Sequence, residues 1–407
     1  MPTSQKSNAI ETIGHRPTWA EIDLDALASN FHLIKKLIGP AVKVMAVVKA
    51  NAYGHGSVPC ALRLASEGAD WFGVALPEEG TELRAAGITQ PILCLAGFWE
   101  GQARSIIEQK LTPVVFRRDM IESLDSAARA AGTVADVHLK VDTGMGRLGV
   151  RFDEVAEFVA TLPEYRNIRV DGLMTHLAAA DEPSCATLTD DQITRFNRVV
   201  EVFREHGFHP TYLHSLASAG IYSHPEALGN MVRPGGVLYG LWRDILHPSH
   251  GNNELRPVLA LRSRIALLKW VPVGETIGYG CTFEASRKTL VATIPIGYDD
   301  GYPRGLSNRA RVIVRASYAP VIGRISMDLT LLDVTGIPGV DIGDEVTLIG
   351  SAPNDDSEDG AQPRLAINAE DLAKIAGTLS YEVTCGIGAR VPRVDIEKRR
   401  EIQVRQL

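Results

Sequence analysis

From Lys43 to about Tyr239, short runs of β-branched and apolar residues alternate with stretches whose apolar positions recur every three or four residues, the pattern of a βα series. The runs are Lys43–Val48, Trp71–Ala75, Pro91–Ala96, Pro113–Phe116, Asp136–Val141, Val170–Thr175, Tyr212–Ser215 and Met231–Tyr239, eight in all. The best-marked helix precedes the first of them: Asp25 lies at its start, Leu27, Phe31, Ile34 and Ile38 form one face, and Gly39-Pro40 closes it. Eight parallel strands predict a closed (β/α)8 barrel, although a doubly wound sheet satisfies the same count.

Beyond about Leu255 the pattern changes to strands and turns, at Val258–Leu268, Leu290–Ile296, Ala310–Val314, Val321–Ile325, Leu329–Val334 and Glu345–Ile349. One helix interrupts them, Ala369–Leu379, with Asn368 as its N-cap and Asp371 in its first turn. Ser351–Pro363, rich in Asp, Ser and Pro, reads as an exposed loop. The expected fold is α/β: an N-terminal (β/α)8 TIM-type barrel over 19–254, preceded by an extension over 1–18 and followed by a mostly β C-terminal domain over 255–407.

Composition removes several function classes. The 407 residues are 45% apolar and 22% charged, which describes a globular chain large enough to bury its core without a metal or disulfide staple. Net charge is −7 without long runs of one sign, so no basic surface awaits a nucleic acid. Five widely spaced cysteines, with no Cys-x-x-Cys, argue against a disulfide framework and a thiolate metal site, and fit a reducing cytoplasm. Neither a signal-peptide core nor an apolar run of about 18 residues is present, so no membrane is expected.

In a barrel of this kind, functional groups gather at the C-terminal ends of the strands. Lys49 ends the first run, Lys140 and Arg147 follow or close the fifth, His176 closes the sixth, and Arg233 lies in the eighth. Ser218 and Gly235-Gly236 fall after runs seven and eight, where phosphate sites are often built, and Ser218 is placed to cap a helix beginning near Ala219. Each has a structural explanation when taken alone. Lys49 can snorkel, Arg233 can be an edge charge, His176 a satisfied core histidine, and Asp142 between Lys140 and Arg147 the holder of a turn. Tyr279 within Gly278-Tyr279-Gly280 is an ordinary β-turn aromatic, and Met327 beside Asp328 ordinary packing. A lysine ending a buried apolar strand beside a phosphate-type pattern and Tyr53 nevertheless fits Schiff-base chemistry with a phosphorylated aldehyde, pyridoxal 5′-phosphate.

Eight motifs in order then carry a family resemblance over Trp19 to Arg393. They are Val-Lys-Ala-Asn-Ala-Tyr-Gly-His-Gly (48–56), Lys-Val-Asp-Thr-Gly-Met-Gly-Arg-Leu-Gly (140–149), Met-Thr-His-Leu-Ala (174–178), Arg-Pro-Gly (233–235) with Leu-Tyr-Gly (238–240), Ile-Gly-Tyr-Gly (277–280), Pro-Ile-Gly-Tyr-Asp-Asp-Gly (295–301), Gly-Arg-Ile-Ser-Met-Asp (323–328) and Leu-Ser-Tyr-Glu (379–382). With them the chain resembles the alanine racemases, fold-type III pyridoxal-phosphate enzymes.

The resemblance implies a homodimer that interconverts L- and D-alanine in the cytoplasm and supplies D-alanine for peptidoglycan. It implies that Lys49 binds the cofactor covalently and serves as the base on one face, and that Tyr279 from the second subunit serves on the other. Arg233 would face the pyridine nitrogen, with His176 linking Arg233 to Tyr279. Arg147 and the backbone of Met327 would hold the substrate carboxylate, and Tyr53, Ser218, Gly235 and Tyr381 the phosphate. Tyr298 would line the entrance, and Lys140 is the lysine that some relatives carbamylate. No metal is implied.

Rival readings are a broad-specificity amino-acid racemase, a decarboxylase of basic amino acids on the same architecture, and a non-catalytic pyridoxal-phosphate carrier, which lacks the second domain. Departures from the family pattern are the longer N-terminus, Gly236 after Arg-Pro-Gly and the long 351–363 loop; with Trp242–Glu254, that loop is where specificity or assembly would differ.

Overall fold

The computed structural model describes residues 16–250, 254–352 and 365–397. The chain divides into two compact units, Leu24–Arg256 and a second built from the residues up to Asp23 together with those from Pro257 onward. Most of the N-terminal extension, Gly251, Asn252 and Asn253 of the Trp242–Glu254 segment, and most of the Ser351–Pro363 loop lie outside the described residues.

The first unit is the barrel. Of its parallel strands, Lys43–Val47, Trp71–Val74, Ile92–Cys94, Thr112–Val115, Ala135–Asp142, Ile168–Met174, Tyr212–His214 and Met231–Val232, the first seven pair each with the next, and Met231–Val232 pairs back onto Lys43–Val47. A parallel bridge between Ala217 and Arg233, with the Arg233 N–H donating to the Leu216 carbonyl at 3.0 Å, draws the seventh and eighth strands together. Met45, Trp71, Leu93, Val114, Met174 and Met231, one from each of six strands, fill the interior as a packed cluster. The helix ahead of the first strand runs Leu24–Ile38 and buries Leu27, Phe31, Ile34 and Ile38, the face its periodicity predicts.

The eighth strand is shorter than its apolar run implies. It ends at Val232, and Gly236–Tyr239 form a 3-10 turn. Pro234 cannot donate to a ladder, and the Gly235 N–H is spent on Ser218 instead.

The second unit is built on strands. One sheet runs in the order Ser317–Pro320, Arg311–Val314, Glu345–Ser351, Leu259–Arg264, Thr18–Asp23, Arg393–Ile396, with Ala366–Ile367 paired to Glu345–Ser351. A three-stranded antiparallel sheet holds Leu267–Val271, Thr289–Ile294 and Thr330–Asp333. The run expected as one strand over Val258–Leu268 is thus two strands, and Val321–Ile325 is not a strand, making a single bridge from Val321 to Leu332. The expected helix stops at Ala376, because Gly377 takes a left-handed conformation (φ 78°), and Ser380–Cys385 form a separate helix.

The boundary expected at Trp19 moves to Leu24. Thr18–Asp23 buries Thr18, Trp19, Ala20 and Ile22, and its backbone is consumed by an antiparallel ladder to Leu259–Arg264 and a parallel one to Arg393–Ile396. No helix among the described residues is long and apolar enough to cross a membrane, and no metal-type cluster occurs among them.

Candidate active site

The barrel brings Lys49, Lys140, Arg147, His176 and Arg233 to the C-terminal end of its strands, where position along the chain predicts them. Lys140 is 6% exposed on the long fifth strand. Burial, reinforced by the positive charges of Arg233, Arg147 and Lys49, pushes its ammonium down to about 7 against the opposing pull of Asp142. Asp142 is itself spent on the following loop, accepting from the Gly144, Met145 and Gly146 N–H groups at 3.0 to 3.1 Å. The mouth therefore gathers four cations, and the carboxylate set against them is already committed to backbone. An anion bound there relieves this repulsion.

Arg233 is 3% exposed and fully committed at its tips. Nη1 donates to the His214 carbonyl at 2.7 Å and to His214 Nδ1 at 2.9 Å; Nη2 donates to the Thr175 carbonyl at 2.7 Å and the Ser215 carbonyl at 3.1 Å. The Nε–H is what remains for a ligand. Burial lowers the guanidinium to about 9, so it is still a cation at neutral pH.

Because an arginine N–H only donates, His214 Nδ1 accepts, and His214 Nε2 then donates to His138 Nδ1 at 2.8 Å. Both rings are completely buried, and burial beside Arg233 holds both well below the ordinary histidine range, His138 at about 3, so both are neutral. The His138 ring occupies the space a side chain at Gly172 would take, since a Cβ there lies 2.6 Å from ring atoms. Sequence reading missed His138 and His214. Each lies inside a strand, where a histidine carries no signal until the partner strand is known. The His176 ring, expected to link Arg233 onward, makes no hydrogen bond to another described residue, and the imidazole that bonds Arg233 is His214. Burial, then the charges of Arg233 and its neighbours, keeps His176 far below its ordinary range.

Tyr53, Ser218 and Gly235 converge. Ser218 is the first residue of helix Ser218–Ser223 rather than its cap, and its Oγ accepts from the Gly235 N–H at 3.0 Å. A Cβ on Gly235 would stand 2.5 Å from Tyr53 Oη, so glycine is what admits the phenol.

Lys49 opens a turn of unusual hand. Ala50, Asn51, Ala52 and Tyr53 all have φ between 52° and 54°, a left-handed turn costing about 1–2 kcal/mol per residue. Its hydrogen bonds run from Ala52 N to Val48 O at 2.8 Å and from Gly54 N to Ala50 O at 3.0 Å, while Asn51 Oδ1 accepts from Ser57 N at 2.8 Å. The Ala50 N–H goes to Glu79 Oε1 at 2.7 Å.

In the second unit the expected residues lie on turns and are open to solvent. Tyr279 is 71% exposed on a short turn between Thr276–Ile277 and Phe283–Glu284. Tyr298 is 42% and Met327 50% exposed, and backbone bonds hold them together: Tyr298 N donates to Ser326 O at 3.0 Å and Asp299 N to Met327 O at 3.1 Å. Below them Asp300 is fully buried, taking Arg16, Arg390 and the Gly297 N–H. Tyr381 is half-buried on helix Ser380–Cys385.

A closed parallel barrel with a cationic mouth, joined to a β-rich unit that presents tyrosines on turns, defines a barrel enzyme for an anionic ligand. Residues 22–242 match the model of the alanine racemase N-terminal domain and residues 258–395 that of the C-terminal domain. An alanine racemase of Halothermothrix orenii is 45% identical over 380 residues, covering 93% of this chain and 96% of its own. The solved alanine racemase of Bacillus anthracis with bound L-Ala-P is 32% identical with TM-score 0.84, covering 94% of this chain and 96% of its own. That of Bartonella henselae, with covalently bound pyridoxal phosphate, is 26% identical with TM-score 0.82 and covers 94% and 100%. The chain belongs to the alanine racemase family, a family of isomerases.

Proposed function

We propose that this protein interconverts L- and D-alanine as a homodimer using pyridoxal 5′-phosphate, with Lys49 and Tyr279 as the two proton carriers. The observation that carries the reading is the cationic mouth around a buried Arg233 whose Nη groups are all spent and whose Nε–H remains. The bound pyridoxal phosphate and L-Ala-P named for two solved relatives support it.

The residues present fit that cofactor. Lys49 Nζ would hold it covalently, Ser218, Gly235 and Tyr53, and in addition Tyr381, would take its phosphate, and the Arg233 Nε–H would serve its pyridine nitrogen. When bound, the cofactor supplies the electron-withdrawing ring that acidifies the substrate Cα–H. Arg233 can only donate, so a ring nitrogen served by it would be left unprotonated and its electron withdrawal moderated, which would favour return of the proton to Cα. Inversion needs a proton carrier on each side of Cα, and Lys49 Nζ and Tyr279 Oη of a second copy take those places. An exposed phenol on a rigid turn suits presentation to another chain.

Arg147 and the Met327 N–H hold the substrate carboxylate, and Tyr298 limits side-chain size. Lys140, part neutral near pH 7, is suited to attack carbon dioxide: its Nζ forms the N–C bond, a proton leaves to solvent, and the carbamate anion pairs with Arg147. Intact mass and dependence of activity on bicarbonate test that step; a fully active, unmodified lysine rejects it. The reaction supplies D-alanine for peptidoglycan, and the five free cysteines support a reducing cytoplasmic setting.

The deciding experiment is the absorbance spectrum of the purified protein, followed by D-isomer formation from L-alanine, L-serine and L-lysine in parallel. A visible cofactor band with turnover of alanine alone is expected. Comparable turnover of serine or lysine would move the protein to the broad-specificity racemases, and absence of a band would remove Lys49 from its role.

A further inference from the structure

We infer that Glu79 is the positioning residue for Lys49, fixing the left-handed turn that aims the lysine by tying together the loops after the first and second barrel strands. The inference rests on the reading of Lys49 given above.

Glu79 is the third residue of helix Pro77–Ala85, which follows the strand Trp71–Val74. One carboxylate oxygen does the ordinary work of that position: Oε2 accepts from the Leu76 N–H at 3.2 Å and, more closely, from the Ala75 N–H at 2.6 Å. The other oxygen leaves the helix altogether. Oε1 accepts from the Ala50 N–H at 2.7 Å, 29 residues away in sequence and next to Lys49.

That N–H has no other use. The first N–H groups of any helical turn lack a partner within it, whichever its hand, and the internal bonds of this one begin only at Ala52. The turn is disfavoured at each of Ala50, Asn51, Ala52 and Tyr53, since none is glycine. A conformation of this kind persists only where its surroundings over-determine it. At its far end Asn51 Oδ1 accepts from the Ser57 N–H at 2.8 Å and the Asn51 carbonyl from the Gly56 N–H at 2.9 Å. At the near end, beside the lysine, the bond from another loop is the one to Glu79. An ionised carboxylate shared among three N–H groups is stronger than neutral acceptors would be. Release of Oε1 frees Ala50 to return to right-handed or extended backbone, which turns Lys49 out of register while the strand beneath it stays in place.

Hydrogen exchange on the holoenzyme, combined with kinetics of Glu79→Gln and Glu79→Ala, tests this. Glu79→Gln keeps one carbonyl acceptor and Glu79→Ala none. The expected result is faster exchange over the 49–56 segment, by about tenfold in Glu79→Ala and less in Glu79→Gln, beside the rise at Ala75 and Leu76 that loss of the cap itself brings, with the rest of the barrel unchanged. The value of kcat falls in the same order while KM stays within about twofold, as for an interaction felt at the reacting group rather than in substrate binding. Unchanged exchange over 49–56, or a rise spread evenly over the barrel, overturns the inference and leaves Glu79 as the cap of its own helix. A Lys49→Ala protein that keeps its visible band and its activity would instead overturn the reading of Lys49; the exchange over 49–56 still decides the role of Glu79.

Discussion

The barrel mouth and the turns of the β unit hold their functional groups by opposite means. In the barrel the side chains themselves are fixed: Arg233 is buried with four hydrogen bonds, Lys140 is buried among cations, and Ser218 is bonded to Gly235. In the β unit the backbone is fixed and the side chains are open, as at Tyr279, Tyr298 and Met327. The first arrangement suits a permanently bound group whose chemistry depends on controlled protonation. The second suits residues that meet their target only when another molecule arrives.

Four substitutions sharpen or break that contrast. Lys49→Ala has the largest effect, abolishing both the visible band and racemisation; a coloured, active variant would end the barrel half of the comparison. Tyr279→Phe keeps the band but lowers turnover by about 10²–10⁴-fold in both directions, measured by coupled assays of D- and L-alanine. Because Tyr279 is exposed, its thermal midpoint stays at the wild-type value, unlike that of a buried-site variant.

Gly235→Ala is next. A Cβ 2.5 Å from Tyr53 Oη forces the phenol aside, and pyridoxal phosphate affinity measured by fluorescence falls about tenfold. Lys140→Met is smallest and of opposite sign, raising the thermal midpoint of the cofactor-free protein in carbon-dioxide-free buffer, where Lys140 is an unmodified amine. The folded ammonium, lowered to about 7, lies below the unfolded value of 10.5, so the unfolded chain binds more protons between those limits and wild-type stability rises with pH across them. The gain from Lys140→Met is therefore larger at pH 6 than at pH 9, and an equal gain at both would contradict a buried, depressed ammonium.

What was legible in the sequence divides along the same line. Lys49 could be found because a strand end is identifiable from its hydrophobic run, and Arg233 because a charge among the apolar and glycine residues of the eighth run is unusual. Tyr279 and Met327 were found by motif alone, since an aromatic on a turn and a methionine beside an aspartate are ordinary residues. His138, His214 and Glu79 escaped because their meaning lies in distances between strands or loops far apart in sequence. Val321–Ile325 misled because β-branched residues surround Gly323, whose left-handed conformation (φ 67°) breaks the run. The place of Thr18–Asp23 was hidden for a simpler reason: a six-residue strand does not announce which sheet it joins.

That strand sets an order of assembly. Thr18–Asp23 lies between Leu259–Arg264 and Arg393–Ile396, so an early-synthesised segment is enclosed by a strand made after the barrel and by an edge strand near the end of the chain. The intervening barrel, Leu24–Arg256, is a continuous stretch able to close while the strand ahead of it waits unpaired. A gene cut between the units would therefore not yield two autonomous halves: the downstream fragment would carry a slot one strand wide, with an open ladder on either side of it.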